Sequence, residues 1–197
     1  MSPRSYNSAK RKQGAEETKD RIVSSARALL AGRNPQLSLD AVAKHADVSR
    51  QTVYNAFGGK HGLLEALCDH LAGRGGLHRL GEVFTLEDPA AMLGSLVATF
   101  GAFWKHDLVA TRRLRAFAAL DDDLRAVIAD RDQRRRLAIT EVLRRAGVAA
   151  DDRLVTLLWT LTSFEAYDTV AAVEGHDAAV AALRDAAITL AGIGTGE

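Results

Sequence analysis

The chain has 197 residues, of which 47% are hydrophobic, and its 26 Lys and Arg residues almost balance its 25 Asp and Glu residues. This length suits one compact domain or two small ones, and the scarcity of Pro among many Ala, Leu and Arg residues favours helices. The lone cysteine, Cys68, excludes an intramolecular disulfide and a cysteine-rich metal site.

The charge is unevenly distributed along the chain. Residues 1–60 hold eleven Lys or Arg against five Asp or Glu, whereas residues 61–197 hold fifteen against twenty. A basic end on an otherwise acidic protein suggests that this end meets a polyanion, and chance clustering of solvated charge is the alternative.

Neither a membrane span nor a secretory signal is recognisable. No apolar run approaches the roughly 20 residues that cross a bilayer. Residues 1–13 are polar and basic and lack the apolar stretch of a signal peptide. We therefore expect a cytoplasmic protein with no membrane partner.

The first residues, 1–15, are expected to form a flexible basic arm. Its cations, Arg4, Lys10, Arg11 and Lys12, are suited to a DNA minor groove, and a solvated leader is the alternative. From about Glu16 to Ala31, apolar residues return at helical spacing and predict the first helix.

Two short helices are predicted to follow. Ser38 stands where the N-cap of a helix from Leu39 to Ala46 belongs, and Ser49 stands at the N-cap of a helix that runs to about Ala56. Two glycines, Gly58 and Gly59, end the second of these, and a fourth helix begins near Lys60. The sequence thus predicts a helix-turn-helix unit over residues 16–60.

The remainder of the chain, residues 61–197, reads as one larger helical domain. Long amphipathic stretches cover about 89–105, 108–119, 123–146, 152–173 and 177–191. Since no strand-like alternation occurs, we expect an all-α fold of about nine helices, three of them in the N-terminal unit. The arginines of the run 134–136 are interpreted as solvent-facing or interhelical charge.

The segment from Leu37 to Lys60 carries the functional signal. Two short helices that cross steeply around a tight turn restrict their packing positions to small or aliphatic residues, here Ala43, Val48 and Val53. The opposite face of the second helix consists of hydrogen-bond donors and acceptors, the side chains that read base edges in a major groove.

This segment resembles the TetR family of bacterial transcriptional regulators. The residues that carry the resemblance are Ala43, Val48, Ser49, Thr52, Val53, Tyr54, Phe57 and Lys60. Two positions depart from the family pattern. Asp47 replaces the usual turn Gly, where we expect positive φ, and Gln51 stands where many members have Gly and adds a base-reading amide.

The resemblance implies a role for each exposed residue of this segment. Arg50, Gln51 and Thr52 would face bases. The residues expected to bind phosphates are Ser38, Tyr54, Asn55 and Lys60. For Tyr54, the alternative is a packing aromatic.

The resemblance also implies a ligand cavity and a dimer seam in the larger domain. The expected cavity wall comprises Phe100, Phe103, Trp104, Phe117, Trp159, Phe164 and Tyr167. The expected seam lies on the last two helices and includes Val170, Val173, Val180 and Ala187.

These features predict a homodimeric repressor that an unidentified small-molecule effector releases from a palindromic double-stranded DNA operator. The alternative is an architectural or partner-regulated DNA-binding protein without a small ligand. An enzyme is not expected, because the sequence has no nucleophile elbow or phosphate loop. No cofactor or metal is expected either; His61, Glu65 and Asp69 share a helix face, which we interpret as solvated.

Overall fold

The computed structural model describes residues 3–194, which contain helices and no strand. A short 3-10 turn, Leu77–Arg79, precedes α5. The α-helices are α1 (Pro3–Ala31), α2 (Leu39–His45), α3 (Arg50–Phe57), α4 (Lys60–Arg74), α5 (Leu80–Val83), α6 (Pro89–His106), α7 (Leu108–Ala118), α8 (Asp122–Arg145), α9 (Asp152–Leu161), α10 (Phe164–Glu174) and α11 (His176–Ala191).

The all-α prediction is confirmed, but the described residues form eleven α-helices rather than about nine. One addition is the four-residue α5. The other arises because the predicted helix over 152–173 is two helices, since Ser163 caps α10 by accepting a hydrogen bond from the Ala166 amide. Among the described residues, none of the helices could span a lipid bilayer.

Helix α1 begins much earlier than the sequence indicated. It starts at Pro3 rather than near Glu16, so a helix replaces most of the predicted flexible arm. Its exposed turns carry hydrogen bonds at helical spacing, from Gln13 to Glu17 at 3.0 Å and from Lys19 to Glu16 at 3.3 Å. Residues 1–2 and the side chains before Lys10, including that of Arg4, lie outside the described part.

The contacts divide the chain into two packed units. Unit 1 contains the residues up to His70 together with Arg113–Val127, and unit 2 contains Leu71–Arg112 together with the residues from Ile128 onward. The first turns of α4 therefore group with the N-terminal helices, although the sequence placed a domain boundary after residue 60.

Unit 1 is held by apolar residues that α1, α2, α3 and α4 bury against one another. Ile22, Leu30, Val42, Val53 and Leu67 have no exposed surface. Arg113 of α7 adds a polar tie by donating hydrogen bonds to the carbonyls of Leu30 and Gly32, which satisfy the C-terminal end of α1.

Unit 2 is built around α6, which packs on α10 and α11. Its core contains Leu93, Leu96, Ile139, Leu158 and Leu183, with other apolar residues. The approach of α6 to α11 depends on a glycine, because a Cβ on Gly101 would lie 2.5 Å from Cγ2 of Val180.

Candidate nucleic-acid interface

Two serines fix the start of the two short helices. The Ser38 Oγ accepts a hydrogen bond from the Ala41 amide at 3.1 Å, and the Ser49 Oγ accepts one from the Thr52 amide at 3.0 Å. Between the helices, Asp47 takes φ +53, the positive value expected at the turn. The left-handed Gly58 then ends α3. Local interactions thus fix where α2 and α3 begin and where α3 ends.

The outer face of α3 consists of exposed polar side chains. Gln51 and Asn55 lie one turn apart, and the Gln51 Nε2 donates a hydrogen bond to the Asn55 Oδ1 at 2.8 Å. Tyr54 is 54% exposed, so it is not the packing aromatic that was the alternative. These three side chains present amide and hydroxyl groups to the solvent, as a surface that contacts bases and phosphates requires.

Two other predicted contact residues have partners within unit 1. Arg50 Nη1 lies 3.2 Å from Oδ2 of Asp40 on α2, and both side chains are exposed. Thr52 is half-buried, and its Oγ1 lies 2.8 Å from the Ser49 Oγ. Thr52 is therefore less accessible to a base than Gln51 or Arg50.

Lys60, at the first turn of α4, forms an ion pair with Asp121. The Asp121 Oδ1 also accepts a hydrogen bond from the Leu124 amide at 3.2 Å. Partial burial raises the pKa of the Asp121 carboxyl. The hydrogen bonds from Lys60 and Leu124, together with the charge of Lys60, lower this pKa by a larger amount, so that it lies below its ordinary value. Asp121 is consequently an anion at neutral pH.

An open cleft of about 620 Å³ lies beside this ion pair, within unit 1. The cleft brings together three of the predicted contact residues, Ser38, Arg50 and Lys60. Its remaining lining residues are Pro35, Gln36, Leu37, Leu39, Asp40, Phe117 and Asp121. No local sequence pattern pointed to Asp121, because 61 positions separate it from Lys60.

Most of the aromatic residues predicted to line a ligand cavity lie in the core of unit 2. The ring centroid of Trp104 is 4.4 Å from that of Phe103 and 5.7 Å from that of Phe164. The enclosed space beside Trp104 and Tyr167 measures about 10 Å³, room for one water molecule at most. Phe117 is not a member of this cluster, since it belongs to unit 1.

A buried arginine fills the middle of the aromatic cluster. The guanidinium of Arg135, which is 3% exposed, lies 5.7 Å from the ring centroid of Phe100, 6.0 Å from that of Trp104 and 5.3 Å from that of Trp159. It donates a hydrogen bond to the Thr162 carbonyl at 2.7 Å. The interpretation of residues 134–136 as solvent-facing or interhelical charge did not foresee a cation stacked on three rings.

Two residues of the same cluster share the Thr162 carbonyl. The Trp104 Nε1 donates to it at 3.1 Å, in addition to Arg135. Arg135 also forms an ion pair with Asp132 at 3.2 Å. The cluster is therefore a packed polar and aromatic network.

The predicted dimer-seam residues differ in accessibility. Val173 is 84% exposed, whereas Val170 and Val180 are partly buried against the core of their own unit. Ala187 is fully buried inside unit 2, so it cannot contact a second copy, and its assignment to the seam is wrong. Helical spacing alone did not tell which face of α11 points inward.

No group of three or more His, Cys, Asp or Glu side chains suited to a metal occurs among the described residues. On the predicted solvated face of α4, the His61 Nε2 lies 3.9 Å from the Glu65 Oε1, and both side chains are exposed.

Comparisons with known proteins bear on the N-terminal segment and on the fold. Residues 22–67 match the family model described as bacterial regulatory proteins, tetR family. No curated protein sequence matches the chain.

Among solved structures, a TetR transcription regulator from Haloarcula marismortui is similar with a TM-score of 0.67 at 19% identity, over 90% of this chain and 97% of that one. A protein from Saccharomonospora viridis, described as a transcriptional regulator in complex with choline, gives 0.64 at 20% identity, over 86% and 95%. RolR in complex with resorcinol gives 0.55 at 21% identity, over 94% and 97%. The fold of the chain is that of TetR transcription regulators.

Proposed function

We propose that this chain is a DNA-binding regulator of the TetR family, a cytoplasmic repressor that binds a palindromic operator as a homodimer. The observation that carries the proposal is the outer face of α3. There Gln51, Tyr54 and Asn55 are exposed and polar on a short helix whose start and end are fixed by Ser49 and Gly58.

Within this proposal, the base-reading side chains are Arg50, Gln51 and Thr52. Arginine pairs well with guanine and glutamine with adenine, because each forms two hydrogen bonds to one base edge. Gln51 and Arg50 are exposed and suited to this role. Thr52 is half-buried, and its hydroxyl already contacts the Ser49 hydroxyl.

The phosphate-binding residues of the proposal are Ser38, Tyr54, Asn55 and Lys60. Contacts with phosphates do not depend on the base sequence, and these four would fix the register of α3 on the duplex. Ser38 uses a lone pair of its Oγ to cap α2, which leaves its hydroxyl hydrogen available to a phosphate oxygen.

The proposed release signal is a small molecule that binds among the aromatic side chains of unit 2. Two proteins of the same fold were solved in complex with choline and with resorcinol. Because the enclosed space here measures about 10 Å³, an effector has to move side chains to enter. An effector that binds only the opened state shifts the population towards that state, and it lowers operator affinity if the opened state binds DNA less well.

The second candidate function is DNA binding without a small ligand, as an architectural or partner-regulated protein. The packing of Arg135 into the aromatic cluster favours it, since the side chain occupies the place that a ligand would take.

Selection of DNA from a random pool by the purified full chain tests the proposal. We expect enrichment of a palindrome whose half-site centres lie about 34–36 Å apart, one turn of the duplex. Compounds are then screened for release of the selected DNA. Failure to enrich any sequence would contradict a sequence-specific repressor, whereas enrichment without release by any compound would favour the second candidate.

The phosphate contacts are tested by the dependence of DNA binding on salt. Lys60→Ala should weaken binding to all sequences alike and reduce the slope of log K against log salt by about one unit. Lys105→Ala is the matched control, because Lys105 is an exposed lysine of unit 2 that pairs with Asp177. Equal effects of the two substitutions would show that Lys60 does not contact the backbone.

A further inference from the structure

Lys60, the cation that the proposed function assigns to a DNA phosphate, already forms an ion pair with Asp121. The two residues are neighbours only in the fold. The exposed fraction is 34% for the Lys60 side chain and 19% for that of Asp121, so solvent screens this pair less than it screens a fully exposed one.

Asp121 is held in place by a second interaction. One carboxylate oxygen faces Lys60, and the other accepts the hydrogen bond from the Leu124 amide in the first turn of α8. The carboxylate is therefore positioned before DNA arrives, and it is charged at neutral pH. The position of this carboxylate is set by its hydrogen bond with the Leu124 amide as well as by its contact with Lys60.

The cleft beside this pair contains cations that could bind phosphates, and carboxylates of the protein already contact these cations. Its two cations, Arg50 and Lys60, each contact a carboxylate, that of Asp40 and that of Asp121 respectively. Carboxylate and phosphate oxygens are alternative acceptors for the same ammonium group, and both form charge-assisted hydrogen bonds with it.

We propose that Asp121 is an intramolecular competitor of the DNA backbone for Lys60. The inference rests on the proposed function, in which Lys60 binds a phosphate. When DNA binds, Lys60 exchanges the Asp121 carboxylate for a phosphate, and the broken ion pair offsets part of the new contact. Asp121 thus lowers affinity for every DNA sequence to a similar extent and favours release, without any part in base reading.

The test is the substitution Asp121→Asn, which removes the charge and keeps a side chain able to accept the hydrogen bond from Leu124. We expect the full-length variant to bind operator and random DNA about three- to tenfold more tightly at moderate salt. In a Lys60→Ala background the same substitution should have little effect, since the two changes act on one interaction.

Asp123→Asn is the matched control, because Asp123 is an exposed carboxylate in the first turn of α8, two residues after Asp121. If Asp123→Asn tightens binding as much as Asp121→Asn does, the effect is one of general charge and the proposal is wrong. It is also wrong if Asp121→Asn tightens binding equally with and without Lys60, or leaves binding unchanged.

The failure of the underlying function is distinguishable from these outcomes. If Lys60→Ala alone leaves DNA binding and its salt slope unchanged, Lys60 binds no phosphate, and both the assignment and the inference fail. If Lys60→Ala weakens binding but Asp121→Asn does not tighten it, only the inference fails. Asp121→Ser, also a neutral helix-capping residue, replaces the asparagine variant if that one does not fold.

Discussion

The carbonyl oxygen of Phe57 lies where the side chain of residue 62 would be, since a Cβ on Gly62 would be 2.0 Å from it. The end of α3 and the first turn of α4 therefore meet backbone to backbone. The clash cannot be relieved by a rotamer change, because the obstructing atom belongs to the main chain.

Gly62→Ala should accordingly displace α3 and α4 from each other. We expect a loss of about 1–3 kcal/mol in the free energy of unfolding and at least a tenfold loss in operator affinity. Gly73→Ala on the same helix is the control, because nothing lies within 4 Å of a Cβ at that position. Denaturant unfolding and DNA titration of both variants measure the difference, and similar behaviour of the two would contradict the close approach.

Gln51→Ala tests base reading. The side chain is exposed and its hydrogen bond to Asn55 links two solvent-facing groups, so we expect an intact fold. Discrimination at one base position should relax by about 1–3 kcal/mol. The measurement is a titration of single-base operator variants. A uniform loss over all of them would identify Gln51 as a phosphate contact.

The helix-turn-helix unit could be predicted from the sequence because local chemistry defines it. Ser38 and Ser49 cap the helices that follow them, and Gly58 takes the left-handed conformation that ends α3. Each of these interactions lies within a few residues of its origin, so the order of residues was enough to infer it.

The remaining features depend on contacts between distant parts of the chain. The pairing of Lys60 with Asp121 and the burial of Arg135 follow from tertiary packing that no local pattern reports. The inward face of α11 is a further case, because Ala187 is buried although alanines lie on every side of that helix. Periodicity indicates that a helix is amphipathic and leaves its partner undefined.

Arg135→Ala should destabilise unit 2 strongly. The substitution leaves Asp132 without its buried cation, removes a donor from the Thr162 carbonyl and opens a void between three rings. Breaking such a network typically costs about 3–5 kcal/mol. Arg134→Ala is the control, since Arg134 is exposed and pairs along its own helix with Asp130, an interaction of about 0.3–0.5 kcal/mol. Denaturant unfolding measures both, and a loss below about 1 kcal/mol for Arg135→Ala would show that the network does not hold the core.

The predicted dimer seam is best tested at Val173, because this residue is 84% exposed, whereas Val170 and Val180 are partly buried in their own unit. In a seam, Val173→Glu would bury a charge without a partner and should yield monomers. Loss of the second reading head should then weaken operator binding by about 10²–10⁴. Val109→Glu, at an exposed valine of α7, is the control and should remain dimeric. Sedimentation and operator titration on the same preparations decide the matter, and a Val173→Glu variant that sediments as a dimer and binds normally would place the seam elsewhere.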